Sequence, residues 1–174
     1  MGWNRKFYRL AILGLLMIVG LVACSISYKF NAGTMDYTKI KSISIKDFPN
    51  MAPLVYAPLA QKFTDQLRDK YIRQTRLQVL RENGNMDLEG EITGYELTPL
   101  AVAADMYASQ TRLTVTIRVR FTNQVTPEDD FEQSFSAYQE FDSSNALPLV
   151  EDELCNLIIK EIIDQIYNAT VAKW

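Results

Sequence analysis

A chain of 174 residues, 48 % apolar and 22 % charged, has the balance of a single globular domain rather than of a disordered segment. A net charge of −3 excludes the broad basic footprint of a general nucleic-acid binder. The absence of histidine removes Ser-His-Asp and Cys-His catalysis and the commonest metal ligand. No enzyme, metal or cofactor reading is therefore favoured.

Residues 1–23 read as a signal peptide. Arg5, Lys6 and Arg9 form a positive start, and Leu10 to Val22 is an apolar run, shorter than the roughly 20 apolar residues a membrane span needs. The run ends in Leu21-Val22-Ala23-Cys24, which resembles the bacterial lipobox. That resemblance implies cleavage after Ala23, a diacylglycerol on the Cys24 sulfur and an acyl chain on the new amine. Two or more acyl chains anchor firmly, at about 0.8 kcal/mol per buried CH₂. Removing 1–23 takes three of the 18 basic residues and no acid, leaving 15 basic against 21 acidic residues, a net of −6. No acid stands near Cys24, so family sorting rules point to the inner leaflet of the outer membrane, with the domain facing the periplasm.

Residues 24–39 read as a lipid-anchored tether, and 40–174 as one domain. Ile40 to Phe48 alternates, Ile43 and Ile45 on one side and Ser42, Ser44 and Lys46 on the other, which predicts a strand. From about Val55 to Arg73 the period becomes helical, with Tyr56, Leu59, Ala60, Phe63, Leu67 and Tyr71 on one face and Pro58 at the first turn. Leu77 and Val79 begin a second strand, and Asn83-Gly84-Asn85 is a hairpin signal.

Met86 to Leu97 alternates again, with Met86, Leu88, Gly90, Ile92 and Gly94 on one face. Gly90 and Gly94 suggest a bend or a close backbone approach. Residues 98–108 form a loop that is apolar for an exposed connection. The clearest strand is Thr111 to Phe121, and Phe131 to Phe141 is the last. Asn145 to Val171 is one long helix with Val150, Leu154, Leu157, Ile158, Ile162 and Ile166 as its stripe, and Asp142, Ser143 and Ser144 as candidate caps. Cys155 reads as a buried thiol.

The predicted order is β-α-β-β-β-β-α, with three successive strand connections short enough for hairpins. The expected fold is α+β: a mostly antiparallel four- to five-stranded sheet with two helices packed on one face and the other face polar.

On that polar face period 2 lines up Arg112, Arg118 and Arg120. Guanidinium forks match phosphate and carboxylate oxygens, so the ladder suits a phosphorylated glycolipid or an acidic wall. It equally suits a solvated face in which the arginines pair with Glu89, Glu91, Glu132 or Glu140. Glu89 and Glu91 lie two apart, but nothing around them resembles a catalytic cleft.

The lipobox, this element order, and the stretches 25–30, 42–63, 88–99 and 152–174 together resemble the LptE family of outer-membrane lipoproteins. The resemblance implies a non-catalytic subunit that assembles with and plugs the β-barrel LptD, and helps lipopolysaccharide reach the cell surface. Expected partners are an LptD-type barrel, lipopolysaccharide, and the membrane through the anchor on Cys24, with no nucleic acid. The alternative is a free periplasmic lipoprotein that binds a glycolipid or glycan without a barrel.

Overall fold

A computed structural model describes residues 37–54, 56–100 and 109–171. The elements run β1 (Ser42–Ile45), α1 (Leu59–Gln74), β2 (Gln78–Leu80), β3 (Met86–Pro99), β4 (Gln110–Asn123), a 3-10 turn (Pro127–Asp129), β5 (Phe131–Asp142) and α2 (Leu147–Thr170). The five strands form one sheet in the order β2-β1-β3-β4-β5. β3, β4 and β5 make two long antiparallel ladders, as their alternation and connections predict. The expected α+β class with a mostly antiparallel five-stranded sheet is what the chain adopts.

The hairpin expected at Asn83-Gly84-Asn85 is not there. β2 and β3 both run parallel to β1, which lies between them. Leu80 stands opposite Ser44 and Met86 opposite Ile43. β3 thus begins at the level where β2 ends, so the link only steps sideways and needs no long return. Asn83, at φ 60°, turns the chain. Gly84 then crosses against the β1 backbone, where a Cβ would meet Ser44 N at 2.4 Å, Met86 O at 2.6 Å and Ile43 C at 2.8 Å. Asn85 fastens the crossing: its Oδ1 accepts from Lys41 N at 3.0 Å and from Ser42 Oγ at 3.2 Å.

β1 is shorter than the alternating run. After it, the Ile45 carbonyl accepts from Arg68 Nη2 of α1 at 2.8 Å. The chain then bows out and rejoins β3 at Asn50, where Met51 N donates to Ile92 O at 2.8 Å and Ile92 N to Pro49 O at 2.9 Å. In the bow, Phe48 turns inward over Gly90 and meets the Phe63 ring at 5.1 Å. A Cβ on Gly90 would stand 2.6 Å from that ring and 2.1 Å from Arg118 O.

Between Ile92 and Gly94 the β3–β4 register shifts. The extra residue of a bulge reverses which face each later side chain takes. Tyr95, not Gly94, therefore enters the core, and Gly94 stands over Thr116. This corrects the face expected for Gly94.

Both helices cover the sheet face that carries Ile43, Leu88, Ile92, Leu113, Val115, Ile117 and Phe135, and one apolar core results. α1 buries Leu59, Phe63, Thr64, Leu67 and Tyr71; Val55 lies outside the described residues. α2 buries a wider band than expected, including Cys155, Ile159 and Ile163, because it packs on α1 as well as on β5. Leu157, expected in the stripe, is 47 % exposed. Tyr71 and Thr170 join the two helices by a buried hydroxyl hydrogen bond of 2.5 Å. Asp142 does not cap α2. Its Oδ1 accepts from Ser144 N at 2.8 Å in the preceding turn, and the helix starts instead on Pro148 in its first turn.

Candidate functional site: the open sheet face

Among the described residues the helices cover one sheet face and nothing covers the other, and alternation fills that open face with polar side chains. Arg118 stands opposite Glu91 on β3 and Ser134 on β5; Arg120 stands opposite Glu89 and Glu132; Arg112 stands opposite Thr98 and Glu140. All three arginines thus occupy the face the sequence assigned them, and each meets a glutamate.

The three pairings differ in grip. Arg112 directs Nε and Nη2 to Glu140 Oε1 at 3.1 and 2.6 Å, and its guanidinium lies 4.1 Å from the Tyr138 ring centroid. A forked contact with stacking fixes that side chain. Arg118 Nη1 reaches Glu91 Oε1 at 3.3 Å, and Arg120 Nη1 approaches Glu89 Oε1 only to 3.8 Å. These two are 53 % and 62 % exposed against 36 % for Arg112, so Arg118 and Arg120 are the arginines freer to change partner.

Lys46, at the end of β1, completes the constellation. Its Nζ lies 2.5 Å from Glu89 Oε2, and that hydrogen bond, with the charge behind it, raises the lysine above its ordinary pKa. The sequence placed Lys46 on the polar side of its strand but gave no sign of its neighbours, because the β1–β3 pairing joins residues more than 40 positions apart.

Lys46, Asp47, Glu89, Glu91, Arg118 and Arg120 border a shallow groove of about 360 Å³. A second hollow of about 510 Å³ adjoins it through Lys46, Glu89 and Arg120 and extends to Glu82 and Asp87. Acids outnumber bases here, so the face is a lattice of alternating charge and not a basic patch. It can exchange ion pairs with a polar surface; Glu89 and Glu91 are both engaged by cations. Among the described residues, no cluster of three or more histidines, cysteines or acids could hold a metal ion. No described helix is long and apolar enough to cross a membrane.

Cys24, the signal segment and residues 101–108 of the apolar loop lie outside the described residues. Asp130, just after the 3-10 turn, accepts from Asn123 N at 2.7 Å and holds the β4–β5 connection.

The profile of the LptE family, described as lipopolysaccharide-assembly, matches residues 40–170. The chain belongs to the LptE family. It is therefore a member of a family of lipopolysaccharide-assembly lipoproteins. Solved structures share its fold at low identity. A protein from Xanthomonas campestris superposes with a TM-score of 0.52 at 9 % identity, over 74 % of this chain and 84 % of that one. A hypothetical protein from Chlamydia trachomatis gives 0.50 at 9 %, over 77 % and 99 %. Rare lipoprotein B from Shewanella oneidensis gives 0.48 at 8 %, over 74 % and 90 %. No curated protein sequence matches the chain. At these identities the first two likenesses speak for the fold alone, and the third carries no argument.

Proposed function

We propose that the chain is an outer-membrane subunit, lipid-anchored through Cys24, that assembles with and plugs an LptD-type β-barrel and so serves lipopolysaccharide transport to the cell surface. The observation that carries this reading, beyond LptE membership, is the uncovered sheet face of alternating charge. The lumen wall of an outer-membrane barrel is polar and water-exposed, and such a face matches it without a catalytic group. Arg118 and Arg120 are the side chains on it best placed to meet a phosphate or an acidic wall, because their present ion pairs are long and exposed.

The test is a pull-down of epitope-tagged chain from detergent-extracted outer membranes, with mass spectrometry of what comes with it. A large β-barrel recovered in near-equal amount is expected, and Cys24→Ala should leave the chain unlipidated and uncleaved, absent from the outer-membrane fraction, with the barrel largely lost. Recovery as a free monomer, with lipopolysaccharide export intact after depletion, would overturn the reading in favour of a free glycolipid-binding lipoprotein.

A further inference from the structure

A sheet in the order β2-β1-β3-β4-β5 has two edges. The β2 edge is three residues long, which blunts it. The β5 edge is twelve residues long, and its pairing with β4 runs without a register shift from Phe131 to Asp142. It carries no proline, no lysine, no arginine and no bulge, and the charges it does carry, Glu132, Glu140 and Asp142, are all acidic, so they repel an acidic strand and not a basic one.

Two features make this edge a seat and not just an open ladder. Gln165 Nε2 of α2 donates to Ser136 O at 3.3 Å, so that carbonyl points away from β4, and a side-chain amide stands where the N–H of another strand would sit. By the two-residue period, the main-chain groups of Glu132, Ser134, Tyr138 and Glu140 point the same way. Beside them Tyr138, Gln139 and Glu140 of β5 and Glu161 of α2 border a cleft of about 420 Å³ between strand and helix. Leu157 and Gln165 lie one turn either side of Glu161, so the half-exposed Leu157 falls on the same row. The Arg112 stack holds Tyr138 and Glu140 in place at the rim.

We propose that this edge receives an extended, basic segment of a partner polypeptide as a sixth strand, laid between β5 and the α2 row of Leu157, Glu161 and Gln165. Main-chain hydrogen bonds would give the affinity and the cleft the selectivity, as in other strand additions. Charge decides the occupant. β5 carries Glu132, Glu140 and Asp142 and no base, so a second copy would bring only acids to acids. Neither Glu132 nor Glu161 forms an ion pair among the described residues, although Arg120 stands directly opposite Glu132. Lysines or arginines at alternate positions share one face of the incoming strand; turned toward α2 they answer Glu161, and a base in the other row would answer Glu132 on the open face. The inference goes beyond barrel assembly and does not need it.

The probe is a fluorescein-labelled decapeptide of alternating lysine with valine or threonine, titrated against the full-length lipidated chain in detergent. A second peptide of the same charge, with prolines at the non-lysine positions, is the control. Amide hydrogen exchange is read alongside. Saturable binding of the first peptide is expected, at least tenfold weaker for the second and for Glu161→Lys. The amides of Glu132, Ser134, Ser136, Tyr138 and Glu140 should exchange about tenfold more slowly in the complex. Equal binding of the two peptides would reduce the contact to charge alone and overturn the proposal. So would slowed exchange confined to other strands, no binding at all, or a dimer forming through β5 without peptide.

Discussion

At Cys155 the helical period offers a thiol one position past the apolar Leu154, and the fold buries it fully against the Tyr95 side of the core. Burial pushes the thiol up to about 11; the Tyr95 hydroxyl opposes this and the Glu151 charge adds to it. Tyr95 is raised too, by burial first and then by its 2.5 Å hydrogen bond to Glu151. A folded pKa raised above the unfolded value of 9.0 means the unfolded chain ionises first as pH rises. The contribution is whole below pH 9 and is lost as the pH climbs toward about 11. Urea midpoints should therefore fall between these pH values, and Cys155→Ala should fall less steeply than the parent, whatever its offset at pH 8. Parallel curves for the two would show that the thiol does not titrate on unfolding. The burial of Cys155 was legible from its helix. Its partner was not, because Tyr95 reaches the core only through the bulge at Thr93, and a bulge leaves no mark on the alternation until the register is known.

Among the elements, β3, β4 and β5 were legible because each alternates over ten or more residues and neighbours in sequence pair in space. The β2–β1–β3 corner was not. Asn-Gly reports that the chain turns, and the hairpin is its commonest use. Here the same flexibility serves a sideways step over β1, which depends on pairings more than 35 residues apart. Gly84 is the point of closest passage, and all three atoms that a Cβ would strike are main chain. No side chain can swing away to make room. Gly84→Ala should cost about 1–3 kcal/mol, the range for forced overpacking, seen in chemical denaturation. Hydrogen exchange should quicken first at β1 and β2, with the β4–β5 ladder unaffected. An unchanged midpoint, or loosening spread evenly over the sheet, would mean the link crosses elsewhere.

The molecule as a whole divides its work between two faces of one sheet. The helix-covered face holds the core, and its burial accounts for the stability of the domain. The other face holds Lys46 and the arginines in solvent-exposed pairs with glutamates, and exposed pairs of this kind add little to stability. A lattice so weakly tied to stability can be rearranged by a partner without loosening the fold. Arg118 and Arg120 test this separation, since neither is stacked or forked as Arg112 is. Replacing both with glutamine, which avoids setting new acids against Glu89 and Glu91, should move the unfolding free energy by no more than about 1 kcal/mol. The same double variant should bring down markedly less of the barrel in the pull-down. If stability falls by several kcal/mol, the pairs are structural and the face is not a free surface. If stability and barrel recovery both stay at the parent level, the arginines are merely solvated, and the contact lies on another part of the domain.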